Sequence, residues 1–168
     1  SAEAAARVDD LRAEIKDKLL NGVYKCGIGI VRNAPAPVVA AARADVYAML
    51  DTLEATLSNQ RYLIGSSVTA IDVQTVMTLL RWDTSYQQGF ALGEGKGTGG
   101  ILLGGGYPHI CNFTREIYAM VKPAVMWQCF RQYYRWAVGH PTDQPLPPLE
   151  PIIESAEAAH NRAELFPL

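Results

Sequence analysis

An all-α bundle is the fold class this chain predicts, and three observations predict it. Apolar residues recur at spacings of three and four over most of the chain, no segment alternates strictly at period two, and residues 68–73 spell a helix start. In that start Thr69 is the N-cap and Asp72 stands at the capping-box position three residues on. Val68 and Val73 occupy the two positions of a hydrophobic staple. Asp is shorter than the usual Glu or Gln, yet its carboxylate still reaches the cap amide.

The elements run in order along the chain. Val8, Leu11, Ile15 and Leu19 mark a first amphipathic helix that stops at Asn21-Gly22. Residues 23–37 carry Gly and Pro punctuation and read as a loop. Val38, Ala42, Val46, Leu50, Leu53 and Leu57 form the stripe of a second helix. The third starts at Thr69 and is apolar on several sides (Val73, Val76, Met77, Leu79, Leu80), as a central helix must be. Trp82-Asp83-Thr84-Ser85 interrupts it, with Arg81 and Asp83 expected to pair at the kink. Residues 93–106 are a Gly-rich loop. Pro108 opens a fourth helix bearing Ile110, Phe113, Ile117 and Met120, and Pro123 opens a fifth with Met126, Phe130, Tyr133 and Tyr134. Beyond a Pro-rich stretch, Pro151 opens a short helix with Ile152, Ile153, Ala156 and Ala159 on one side. The expected division is a helical domain over 1–138 and an extension over 139–168.

Composition removes several function classes. With 168 residues, 49% of them hydrophobic, the chain buries one good core and hardly two. The net charge of −2 comes without a basic patch, which argues against nucleic acid as a partner. No window approaches 18 unbroken apolar residues, so no transmembrane segment is expected. His109, His140 and His160 share no ligand spacing, and no metal site is expected. Cys26, Cys111 and Cys129 are odd in number and lack redox spacing. That favours a reducing intracellular compartment, cytoplasm or an organelle interior such as a plastid or mitochondrion. Gly95, Gly97 and Gly100 fit G-x-G-x-x-G. However, no strand precedes them and no helix comes after to meet a pyrophosphate, so nucleotide binding is not expected.

Five ordered blocks narrow the reading. They are Asn21-Gly22-Val23-Tyr24-Lys25-Cys26-Gly27; Arg61-Tyr62-Leu63-Ile64-Gly65; Leu79 to Tyr86; Tyr107-Pro108-His109-Ile110 with Arg115-Glu116-Ile117-Tyr118; and Tyr133-Tyr134. In these blocks the chain resembles the C-terminal helical domain of the glutathione transferase superfamily. It is most similar to the xi class, the glutathionyl-hydroquinone reductases. The resemblance implies a glutathione transferase C-terminal-like bundle of about five or six helices with an extra C-terminal tail. It also implies that Tyr24 and a member of the Tyr133/Tyr134 pair contact a quinol, with Tyr86 nearby, and that a homodimer is possible. A phenolic hydroxyl suits a quinol oxygen and its ring offers a stacking face, although a Tyr buried in a helical core is a common alternative.

Those reductases carry their redox Cys and glutathione site on a thioredoxin-like half, and glutathione is the cofactor expected if such a half is present. Within these 168 residues there is no Cys-Pro nucleophile motif. Cys26 neighbours Lys25, but a small residue filling a core position is the plainer reading. Three functions remain open. The first is a non-catalytic subunit or scaffold in a larger assembly with protein partners. The second is the helical half of a reductase, and the third is a module that binds an aromatic ligand. The scaffold reading leans on two features outside the resemblance, the loop residues Ile101, Leu102 and Leu103 and the tail residues Ile152 and Ile153. All five are candidates for contact with a partner, the alternative for the loop run being that it folds back onto its own domain.

Overall fold

The computed structural model describes residues 2–90, 92–93, 95–137 and 148–167, and the architecture is all-helical. Helix α1 (Ala2–Glu14) runs into a π-helical turn (Ile15–Leu20) that buries Ile15 and Leu19. Helices α2 (Gly22–Val31) and α3 (Ala36–Leu57) pack against each other, and α4 (Ala70–Arg81) crosses the centre. A π-helical turn (Trp82–Tyr86) and the short α5 (Gln87–Gly89) lead into the Gly-rich loop. The chain then forms α6 (Pro108–Val121), α7 (Trp127–Ala137), α8 (Glu150–Glu157) and α9 (Arg162–Leu165). No strand occurs among the described residues. The Pro-rich stretch up to residue 147, with His140, lies outside them.

The expected loop over 23–37 is mostly helix α2. Its glycines serve close packing. A Cβ on Gly27 would fall 2.3 Å from the Phe90 ring, so only glycine lets α2 approach that ring. Val23 and Cys26 are fully buried on the same side. Pro123 lies in a 3-10 turn (Lys122–Ala124), and the fifth expected helix starts only at Trp127.

Helix α4 starts as its sequence dictates. The fully buried Asp72 accepts from the Thr69 amide and the Thr69 hydroxyl, both at 2.7 Å, and from the Leu63 amide at 2.8 Å. One carboxylate thus caps α4 and ties it to the preceding segment. Asp72→Ala leaves two backbone amides without an acceptor, and the loss is expected at roughly 2–4 kcal/mol. A urea titration measures it, and a midpoint equal to wild type would refute the assignment.

The tail belongs to the same core as the rest of the chain. Leu149, Ile152 and Ala156 are buried against α6 in a cluster that includes Ile101, Leu102 and Phe113. Arg162, only 1% exposed, donates to the Leu57 and Gln60 carbonyls at 3.2 and 2.8 Å and to the Arg61 carbonyl. It therefore closes the C-terminal end of α3, where carbonyls lack helical partners.

Candidate functional site

Tyr24 from α2, Tyr86 from the π-helical turn and Tyr134 from α7 converge on one point. The Tyr86 hydroxyl lies 3.2 Å from both the Tyr24 and the Tyr134 hydroxyl, with one proton to donate between them, and those two hydroxyls bond to each other. The extra residue of a π turn rotates the side chains beyond it relative to an α-helix, and Tyr86 ends up completely buried. Phe90, one turn later, stacks on Tyr86 with ring centres 4.9 Å apart and stands edge-on to Tyr134. Tyr133 does not join the hydroxyl cluster. It is 58% exposed and packs edge-on to Tyr134 at 5.0 Å.

A cleft of about 250 Å³ opens against this cluster, lined by Tyr24, Ile28, Val31 and Arg32 along α2 and its end and by Phe90, Tyr133 and Tyr134. Its surface is mainly apolar and aromatic, with tyrosine hydroxyls among its polar groups. That is the make-up of a site for a planar aromatic ligand bearing an oxygen. Three of the four tyrosines picked out in the sequence thus share one hydroxyl cluster, and the fourth contributes a ring face. Phe90, Ile28, Val31 and Arg32 were not anticipated, because residues 23–37 read as a loop. The signal was present: Tyr24, Ile28 and Val31 have the i, i+4, i+7 spacing of one helix face.

Burial pushes the Tyr86 phenol far above its usual range, and the Tyr134 and Tyr24 hydroxyls add to the effect. Burial likewise pushes Tyr134 up to about 12. Tyr86 and Tyr134 therefore stay protonated at neutral pH. Arg81 stands next to this group. Its guanidinium lies 4.7 Å from the Phe130 ring centre and 5.9 Å from that of Tyr134. The expected Arg81–Asp83 pair does not form, because Asp83 faces the Gly-rich loop instead.

That loop packs inward. Asp83, 5% exposed, accepts the Ile101 amide at 2.9 Å and the Leu102 and Leu103 amides at 3.2 Å. Gly100 sits at φ +101°, and a Cβ there would land 2.0 Å from Asp83 Oδ1. The glycine is required on both counts. Ile101 is fully buried and Leu102 nearly so, packed on the chain's own core. Only Leu103 points outward. Ile152 is likewise buried and Ile153 partly so, both packing on the chain's own core. Among the described residues no group of His, Cys, Asp and Glu could hold a metal ion, and no helix is long and apolar enough to cross a membrane. All three cysteines are free. Cys26 and Cys111 are buried, Cys129 is exposed, and burial raises the Cys26 thiol, opposed by Arg43.

Comparison with known proteins identifies the fold. The family of glutathione S-transferase C-terminal domains matches residues 16–120. Glutathionyl-hydroquinone reductase YqjG from Escherichia coli is 30% identical over 130 residues, which cover 76% of this chain and 36% of that protein. The reductase PcpF from Sphingobium chlorophenolicum is 30% identical over 89 residues, 53% of this chain and 27% of that protein. The glutathione-bound structure of YqjG aligns with TM-score 0.79 and 25% identity over 99% of this chain and 51% of that one. Glutathione-S-transferase Xi from Phanerochaete chrysosporium aligns with TM-score 0.75 and 25% identity over 90% of this chain and 49% of that one. The chain thus spans about a third of the length of the first curated relatives and about half that of the solved ones. The YqjG alignment takes in nearly every residue of this chain, the helices after residue 148 included. The chain belongs to the glutathione S-transferase C-terminal domain family and is related to the xi-class transferases, the glutathionyl-hydroquinone reductases.

Proposed function

We propose that this chain is the helical, substrate-pocket half of a glutathione-dependent reductase acting on glutathionyl-hydroquinones. One observation carries the reading: three tyrosine hydroxyls from three separate elements meet at the wall of an aromatic cleft. Buried phenols need hydrogen-bond partners in any fold, but two of these three also line an open aromatic cleft, where a ligand oxygen can reach them. In this reading the phenol ends meet a quinol oxygen, and Phe90 and Tyr133 supply ring faces. Glutathione and the nucleophilic Cys belong to a thioredoxin-like half, and the relatives' greater length leaves room for one. A subunit or scaffold role is favoured less. The loop and tail residues that argued for it, Ile101, Leu102 and Ile152, pack on the chain's own core.

Hydroquinone binding, monitored by intrinsic fluorescence, tests the pocket. Tyr24→Phe or Tyr134→Phe removes one neutral hydrogen bond, worth about 1 kcal/mol, so Kd should rise roughly 5-fold. Unchanged affinity in both variants would refute the site. The 168-residue chain by itself should not turn over a glutathionyl-hydroquinone with glutathione, because Cys26 is fully buried and its thiol pKa is raised. Turnover that vanishes in Cys26→Ser would instead make Cys26 the nucleophile.

A further inference from the structure

The three hydroxyls differ in position. Tyr24 is half-buried and lines the cleft, whereas Tyr86 is fully buried and does not. Arg81 also stays off the cleft lining, and its buried Nε has no hydrogen-bond partner among the described residues. A guanidinium donates and never accepts. Hydroxyls gathered beside it therefore turn their lone pairs toward the cation and their protons away. Tyr86 has both other hydroxyls 3.2 Å away on its donor side, so its single proton can go to either of them. Passed along the cluster, the same polarity ends at the Tyr24–Tyr134 pair, both of which line the cleft.

We propose that Arg81 is a positioning residue that orders the tyrosine hydroxyls outward, so that the Tyr24–Tyr134 pair presents a proton to the cleft and the site prefers a phenolate oxygen over a neutral phenol. This rests on the reading of the cleft as an aromatic site. A donor aimed at an oxyanion stabilises the charged form of the ligand, and a nearby cation adds to the effect. Burial works against the charge on Arg81, but its hydrogen bond with the Tyr86 phenol supports it, and a guanidinium stays protonated at every working pH. The other charges nearby are Arg32 in the cleft lining, the Lys25–Asp17 pair (2.7 Å) beside Tyr24, and Arg131 on the same helix as Tyr134. Arg32 acts on the ligand directly, so Arg81 accounts for part of the preference.

The probe is 4-nitrophenol, whose ionised form absorbs in the visible, titrated against pH with the chain in excess. Bound to wild type it should ionise about one pH unit below its free value. Arg81→Gln should move that midpoint back up by roughly half a unit or more, and Arg81→Lys, which keeps the charge, should retain most of the shift. An Arg81→Gln midpoint equal to wild type overturns the inference while leaving the aromatic site intact. An unshifted wild-type midpoint does the same. Failure of wild type to bind 4-nitrophenol overturns the aromatic site and the inference with it, so the two failures are separable. Should Arg81→Gln fail to fold, the double variant Tyr24→Phe/Tyr134→Phe decides. It removes the donated proton whichever hydroxyl carries it, so its midpoint must rise, and a midpoint equal to wild type overturns the proposal.

Discussion

Glu116→Ala is expected to remove about 3–5 kcal/mol of stability, because it strips the counter-charge from a buried network. Glu116 is 3% exposed and accepts Arg61 Nε at 2.7 Å and the Tyr62 hydroxyl at 3.2 Å. A second Arg61 nitrogen lies 2.7 Å away, and Arg162 Nε sits at 3.4 Å, near enough for an ion pair but not aligned for a hydrogen bond. Arg162 has its other nitrogens on the carbonyls that end α3. Without Glu116 the Arg162 charge remains buried against carbonyl dipoles alone. The tail helix α9 should then lose its anchor, with a fall in melting temperature of roughly 10 °C for a chain this size. Glu116→Gln, which keeps an acceptor, should lose less. Thermal and guanidinium denaturation measure both, and a Glu116→Ala protein within about 1 kcal/mol of wild type would show that the network is not held by this charge.

The second large effect is a pH dependence. Burial pushes the Asp83 carboxyl up to about 6, against the pull of the Leu102, Ile101 and Leu103 amides it accepts. In the unfolded chain it titrates near the ordinary carboxylate value of about 4. The folded pKa is the higher one, so the stabilisation tied to the protonated form is complete below about pH 4. It is lost as pH rises through about 6. Two units amount to roughly 3 kcal/mol. Asp83→Asn does not titrate and keeps an oxygen for the loop amides. The stability of Asp83→Asn relative to wild type should therefore climb by roughly 2–3 kcal/mol between about pH 4 and pH 7. Urea titrations at several pH values in that range give the difference free of the other carboxylates, which titrate alike in both proteins. Parallel stability curves would mean that the fold does not raise the Asp83 pKa.

Much of the fold is legible in the residues themselves. The stripes over 8–19 and 38–57, the box at Thr69 and Asp72 and the prolines before α6 and α8 are local signals. Local hydrogen bonding and side-chain periodicity suffice to read them. Helix α2 was hidden for a physical reason. Glycine reads as a chain breaker in isolation, whereas in the bundle Gly27 makes room for Phe90, and that requirement exists only once the two are neighbours. The Gly-rich loop misleads in the same way. Two of its apolar residues, Ile101 and Leu102, are buried where Asp83, 18 residues before Ile101, gathers the loop amides.

What the sequence by itself determined is the all-α class, the central helix with its cap, and the tyrosines worth watching. Only the tertiary structure decided that Tyr24, Tyr86 and Tyr134 share one point while Tyr133 stands outside it, that Arg81 turns to the tyrosines and away from Asp83, and that the tail completes the core. Helix periodicity fixes which residues lie on one face of one element. The meeting of residues 110 positions apart, such as Tyr24 and Tyr134, depends on how faces pack across the bundle, and no local signal encodes it.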